Sequence, residues 1–288
     1  MVIGIVIVGI FLVIILVVTV IGILKSRKMC VVSYEIPSDK VEKSIHMVLL
    51  ADLHNREYGE KNCELLESIR NVQPELIVVA GDFMVAKGCD SIDELQVALD
   101  FTRKLVEICP VYYANGNHEH SLKRRNEQNG LYTQYIELLR KAHVVFLEND
   151  SILLEEFGIR ITGLDLPRDY YRRILLQKMQ NNTLDTYLGH ARQDVFQILI
   201  AHNPEYFPEY SKWGADLTLS GHIHGGIMRL PYLGGVLSPS LHLFPKYDGG
   251  LFRQDGRFLV LSRGIGMHTI PIRIYNPPEI VSIRIKKE

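Results

Sequence analysis

Apolar runs separated by amphipathic stretches divide this chain from end to end. The first run, Val2 to Leu24, carries no charge, only glycines and Thr19 among aliphatic residues and Phe11. As a helix it is roughly 34 Å long at about 1.5 Å per residue, against about 30 Å of bilayer hydrocarbon. No Lys or Arg precedes it, and Ile23-Leu24-Lys25 lacks the small residues of a leader cleavage site. A retained single-span membrane anchor is therefore expected over 1–24. Lys25, Arg27 and Lys28 follow the run, and the positive-inside bias then favours the cytoplasm for the remainder.

Past the anchor the pattern changes to short runs that are apolar on consecutive positions, as in strands buried on both faces. Ile45–Ala51, Leu76–Ala80, Val111–Ala114, Phe196–Ala201 and Ala215–Leu219 are of this kind. Cys30–Ile36 alternates like an edge strand closed by Pro37, so 25–44 reads as a juxtamembrane segment with one edge strand. Leu65, Leu66, Ile69 and Val72 repeat at helical spacing, as do Leu95, Leu99, Leu105 and Ile108 in a helix expected from about Ile92 to Ile108. Leu131–Ala142 reads as another helix. Further strands are expected over Val144–Phe146, Ile152–Glu155, Ile159–Thr162, Arg257–Ser262 and Glu279–Ile285. Leu166–Asp194 has no strong period, and Arg168–Arg173 within it reads as a solvated helix face. Strands alternating with helices predict an α/β layered domain over 45–288.

Composition narrows the function. A net charge of -1 with no basic block argues against a nucleic-acid partner. Four cysteines, Cys30, Cys63, Cys89 and Cys109, are far apart and form no C-x-x-C pair, so neither a disulfide framework nor a structural zinc site is expected.

The chemistry lies where the apolar runs stop. Ser220-Gly221-His222-Ile223-His224-Gly225-Gly226 follows one of them. On an extended segment, residues i and i+2 face the same side, so both imidazoles would address one point, and neutral imidazole is a common transition-metal ligand. Four other runs end in residues of the same type: Asp52 with His54, Asp82, Asn117 with His118, and His202. Strand ends at one edge of an α/β sheet are where such folds place their sites. Two carboxylates and a bridging hydroxide leave a pair of divalent cations with net positive charge, suited to an anionic phosphate. Mixed nitrogen and oxygen donors suit manganese, iron or zinc better than calcium.

The strings D-x-H, G-D, G-N-H-E, a lone His after a strand, and G-H-x-H, spread from Asp52 to His224, resemble the calcineurin-like metallophosphoesterase superfamily. Arg229-Leu230-Pro231, Tyr247 to Leu251, Ser262-Arg263-Gly264 and Pro271 to Ile280 further resemble its membrane-associated YkuE/YaeI-type phosphodiesterase branch. The resemblance implies a four-layer fold, two β-sheets packed as a sandwich and flanked by helices. It implies a first metal on Asp52, His54, Asp82 and His224, and a second on Asn117, His202 and His222 with Asp82 shared. His118 matches the residue that contacts the phosphate and assists the leaving oxygen. The function so implied is hydrolysis of a phosphodiester or pyrophosphate by metal-activated hydroxide, and the anchor is compatible with a lipid-linked substrate. A phosphomonoesterase or protein phosphatase of the same fold, or a metal-binding scaffold without turnover, are the alternatives. Phe83-Met84-Val85 departs from the usual text after G-D and is expected to alter the pocket wall. Glu119 reads as a solvated or supporting residue, and Asp165 carries no assigned role.

Overall fold

The computed structural model describes residues 2–172, 177–230, 233–237, 243–267 and 272–288. Arg173, Pro231 and Pro271, named above, lie outside them. Two six-stranded sheets form the centre of the molecule. The first is built from β1 (Cys30–Ser38), β2 (Ile45–Leu50), β3 (Leu76–Val79), β4 (Val111–Ala114), β5 (Val145–Leu147) and β14 (Glu279–Lys287), in the order β1-β14-β2-β3-β4-β5. Its β2, β3, β4 and β5 run parallel, as does the β1–β14 pair, while β14 lies antiparallel to β2. The second comprises β6 (Asp150–Leu154), β7 (Ile159–Leu164), β8 (Phe196–Ala201), β9 (Leu217–Ser220), β12 (Gly250–Gln254) and β13 (Arg257–Leu261), in the order β12-β13-β9-β8-β7-β6. Here β7, β8, β9 and β13 are parallel and the outer strands antiparallel. A two-residue ribbon pairs β10 (Arg229–Leu230) with β11 (Gly234–Gly235).

The consecutive apolar runs explain the layering, because alternate residues of each central strand serve different cores. Met47, Leu49, Val78 and Ala80 meet Ile198, Ile200, Leu217 and Leu219 between the sheets. Val48, Leu50, Ile77 and Val79 face outward onto α2 (Cys63–Val72), α3 (Gln96–Val106) and α6 (Leu131–Lys141), through Leu65, Ile69, Leu99 and Leu139. Between α3 and α6 lie α4 (Asn117–Lys123) and the single turn α5 (Asn126–Asn129). On the far side Leu199 and Ala201 pack under α7 (Thr183–Leu188) and α8 (Phe207–Trp213) through Leu184 and Tyr210. Burying each large apolar side chain contributes about 1.5–3 kcal/mol. The architecture is thus helix, sheet, sheet, helix.

The expected elements differ in detail. β1 passes through Pro37 instead of closing before it, which its edge position allows since one side of the strand has no ladder to lose. The helix expected from Ile92 begins as a 3-10 turn, Ile92–Leu95, with the Glu94 carboxylate accepting from the N–H groups of Asp90 and Ser91. Phe83 and Met84, expected at a pocket wall, pack into the interior. They are fully buried, with the Phe83 ring 5.7 Å from that of Phe101 and 5.5 Å from that of Tyr113.

The N-terminal helix α1 runs Val2–Lys25. Its side chains from Ile10 to Val18 are all exposed and apolar. Among the described residues, whose side chains in this helix run unbroken only from 9 onward, no helix is long and apolar enough to cross a membrane. The far end of α1 is docked onto the domain: the Tyr275 N–H donates to the Gly22 carbonyl at 3.1 Å and the Asn276 N–H to Ser26 Oγ at 2.8 Å.

Candidate metal centre

Parallel strands aim their C-terminal ends the same way, so the loops after β2, β3 and β4 from one sheet meet those after β8 and β9 from the other. These loops carry Asp52 and His54, Asp82, Asn117 and His118, His202, and His222 and His224. Asp52, His54, Asp82, His222 and His224 all adopt left-handed backbone, with φ of 56°, 48°, 57°, 76° and 54°. Such conformations cost non-glycine residues about 1–3 kcal/mol each and persist where the surroundings impose them, commonly at functional sites. This corrects the extended-strand picture of the last motif. β9 stops at Ser220, and two left-handed residues turn both imidazoles inward. Gly221 permits it: a Cβ there would lie 2.5 Å from Asp52 Oδ2.

Three groups of donors form, each with its atoms within 4.8 Å of one another: Asp52 with His54 and His224, His54 with Asp82 and His118, and Asp82 with His202 and His222. His54 Nε2 and His224 Nε2 are 3.1 Å apart, and His224 Nε2 is 3.3 Å from Asp52 Oδ1. His202 Nε2 is 3.1 Å from Asp82 Oδ2. Its Nδ1 donates to the Ala80 carbonyl at 2.5 Å, and a carbonyl can only accept, so the lone pair of the neutral ring is on Nε2, aimed at the carboxylates. The Asn117 amide meets His222 Nδ1 at 2.8 Å and Asp82 Oδ2 at 3.3 Å. Turned with nitrogen inward it donates to both; turned with oxygen inward it adds a third acceptor to the group.

Asp52 and Asp82 are fully buried, and their ion-pair partners among the described residues are imidazoles. Burial lifts the Asp52 carboxyl to about 7, with His202 opposing and Asp82 adding to the rise. Burial acts the same way on Asp82, but the His202 and His118 imidazoles outweigh it and hold that carboxyl well below its usual range. Burial lowers the basicity of His202, yet the adjacent Asp82 and Asp52 raise it to about 10. Positive charge is therefore demanded between these groups. Lone pairs converging at close range on two buried carboxylates fit a divalent cation, and the nitrogen and oxygen donor set suits manganese, iron or zinc.

His118 differs from the other imidazoles. The Ala86 N–H donates to its Nδ1 at 3.0 Å, which makes Nδ1 the acceptor and puts the proton of the neutral ring on Nε2. Its ring centroid is 4.9 Å from that of His54, and its backbone N–H donates to Asp82 Oδ1 at 2.8 Å.

Of four supporting residues, the sequence left Glu119 open between a solvated and a supporting place and gave the other three no such role. Glu119 is completely buried and accepts from the N–H groups of Asp82, Phe83 and Gly116 and from the Tyr113 hydroxyl. It thus ties the Asp82 turn to the start of α4. The cue was its third helical position after Gly116, the spacing of a capping box. Asp165 pairs with His120 at 3.0 Å and Lys123 at 2.6 Å, anchoring the outer side of α4. Tyr171, taken for part of a solvated face, sets its ring edge-on to His222 at 5.3 Å and tilted to His202 at 6.2 Å.

The fourth is Asn276, which is fully buried and donates from Nδ2 to the carbonyls of His224 (2.7 Å) and Gly226 (2.6 Å). No spacing signalled it, since it lies far along the chain in a Pro-rich turn. Asn276→Ala leaves two buried carbonyls without this donor, at a cost of roughly 1–3 kcal/mol. A lower thermal midpoint is expected in the full chain; an unchanged midpoint would remove Asn276 from the support of the last motif.

The sequence profile of calcineurin-like phosphoesterases matches residues 45–226. The chain is 26% identical over 246 residues to the uncharacterized metallophosphoesterase YkuE of Bacillus subtilis (strain 168), covering 83% of this chain and 78% of that one. It is 24% identical over 219 residues to phosphodiesterase YaeI of Escherichia coli (strain K12), covering 74% and 71%. It is 23% identical over 295 residues to the UDP-2,3-diacylglucosamine pyrophosphatase LpxG of Chlamydia muridarum (strain MoPn / Nigg), covering 83% of each.

Proposed function

Because the chain belongs to the calcineurin-like phosphoesterase family and is a metal-dependent phosphoester hydrolase, we propose that it is a membrane-anchored, binuclear phosphodiesterase or pyrophosphatase. The observation that carries this reading is the convergence of donors from five strand ends on Asp52 and Asp82. Asp52, His54, Asp82 and His224 would hold one divalent cation, and Asn117, His202 and His222 the other, with Asp82 between them. When bound, such a pair lowers the pKa of a shared water and offsets charge on the phosphoryl oxygens.

The protein's own groups supply the rest. His222 N–H donates to both Asp52 oxygens, at 3.1 and 3.0 Å, and so fixes that carboxylate. Glu119 holds the Asp82 turn by its backbone. His118, with its proton on Nε2 and no backbone partner needed there, delivers that proton to the departing oxygen. Tyr171 closes one wall against His202 and His222 and keeps their rings from rotating away.

The anchor reading is supported by the charge-free run Val2–Leu24 within α1, roughly 34 Å long at about 1.5 Å per residue, and by its exposed apolar side chains. Lys25, Arg27 and Lys28 favour a cytoplasmic catalytic domain in a single-pass protein. A membrane-proximal site and relatives that include a pyrophosphatase of a diacylated nucleotide sugar favour a lipid-linked substrate. Purified full chain with manganese is expected to turn over bis-aryl phosphate and a nucleotide-sugar lipid faster than mono-aryl phosphate. Preference for the monoester would point instead to a phosphomonoesterase or protein phosphatase. Absence of turnover on all of them would leave a metal-binding scaffold.

A further inference from the structure

A cavity of about 450 Å³ opens where the end of α1 meets the catalytic domain. Its lining comes from three places in the chain: Ile23, Ser26 and Arg27 at the helix end, Arg56 just after the His54 turn, and Met267, Ile272 and Arg273 from the C-terminal segment. The chemistry of this lining is lopsided. Among the described residues it includes three arginines and no acidic residue. Arg273 is spent on structure, its guanidinium donating to the carbonyls of Arg263, Gly264, Gly266 and Asn276. Arg56 and Arg27 are not. Arg56 lies over the Tyr58 ring at 4.9 Å, Arg27 is exposed, and among the described residues neither has a carboxylate partner. Beside these cations stand the apolar Ile23, Met267 and Ile272, with Ile272 44% exposed.

A cationic pocket with an apolar rim, set at the end of a long apolar helix, matches one kind of ligand better than a free ion. Two guanidiniums without a carboxylate partner among the described residues offer forked donors to phosphate oxygens. The rim offers contact to hydrocarbon, which inorganic phosphate lacks. The location puts both at the depth where headgroups lie if α1 spans the bilayer, and basic residues next to a span attract anionic lipid. We infer that this cavity binds the headgroup phosphate of an anionic phospholipid, held by Arg27 and Arg56, with its glycerol and first acyl carbons against Ile23, Met267 and Ile272. The inference rests on the anchored reading above. It has a consequence for the site: the Arg56 N–H donates to the Leu53 carbonyl at 3.0 Å, so lipid held at Arg56 bears on the turn that carries His54.

The test uses the full chain in a neutral detergent, titrated with short-chain phosphatidylglycerol or phosphatidylcholine, with bound lipid read by native mass spectrometry. Saturable binding of one phosphatidylglycerol is expected, at least tenfold tighter than phosphatidylcholine, and not displaced by inorganic phosphate at equal concentration. The pair Arg27→Gln with Arg56→Gln should weaken it at least tenfold. The pair Lys25→Gln with Lys28→Gln removes the same charge outside the cavity and should stay within twofold. Equal losses in both pairs would reduce the effect to general juxtamembrane charge and overturn the assignment. Equal binding of phosphatidylcholine, or displacement by phosphate, would overturn it as well. Arg27→Gln alone changes only an exposed residue and should still weaken binding severalfold if the double variant misfolds. Extraction of native membranes with alkaline carbonate reads the anchor separately: release of the chain would refute the anchored reading, whereas the micelle titration judges the cavity either way.

Discussion

Asp82→Asn is expected to reduce phosphoester hydrolysis by about three orders of magnitude or more, equivalent to roughly 4 kcal/mol of lost transition-state stabilisation. It should also lower bound manganese from two ions per chain to one or fewer. The reasoning begins with position. Asp82 belongs to two of the three donor groups, sharing one with His54 and His118 and the other with His202 and His222. It is the carboxylate that those two donor groups have in common. Asn preserves volume and still accepts the His118 N–H that now reaches Asp82 Oδ1. Asn also tolerates the left-handed conformation at φ 57° better than Ala does. The substitution therefore isolates the negative charge from strain and packing. Asp82→Ala, by contrast, adds backbone strain and frees the His118 N–H, so its larger loss would be harder to interpret. Metal analysis of the dialysed protein decides the matter. Two ions retained at unchanged affinity in Asp82→Asn would contradict the bridging role.

The proposed bridging role was legible in the sequence as a position and, through the family resemblance, as a shared ligand, and the reasons show what a sequence can carry here. Asp52, His54, Asp82, Asn117, His118, His202, His222 and His224 follow apolar runs, and parallel strands bring the ends of such runs to one edge. Their assembly thus depends on topology that the hydrophobic pattern already implies. The local backbone was not legible. His222 and His224 face the centre through left-handed turns, because Gly221 lets the chain pass close to Asp52, and not because a strand continues. The supporting groups were hidden for another reason. Glu119, in a run of polar residues, reads as either solvated or supporting until the fold buries it beneath the Asp82 turn. Tyr171 comes from a stretch without period, and Asn276 reaches back to His224 from far along the chain. Burial of a polar side chain is a property of what packs on it, which no spacing within its own segment records. The antiparallel strand β12 was missed because its side chains alternate between half-buried and exposed on a sheet edge, leaving a weak apolar signal.

His118→Asn should cut turnover by about 10²–10⁴-fold, the usual contribution of a positioned proton donor, while both metal ions remain bound. The choice of Asn follows from the tautomer. Its amide oxygen can take the place of Nδ1 and accept the Ala86 N–H, now at 3.0 Å, so the loop over the site keeps its bond. Only Nε2 and its proton disappear. The backbone N–H to Asp82 Oδ1 is untouched, so the Asp82 carboxylate stays oriented. A loss confined to proton delivery has a signature that a structural defect lacks. It should be large for substrates whose leaving alkoxide is strongly basic and needs a proton to depart. It should shrink for nitrophenyl esters, whose leaving oxygen is stable as an anion. The slope of log kcat against leaving-group pKa should therefore steepen in the variant. A uniform loss across leaving groups would reassign His118 to holding the phosphate, and loss of metal would place it among the ligands beside His54 and Asp82, with which it shares a donor group.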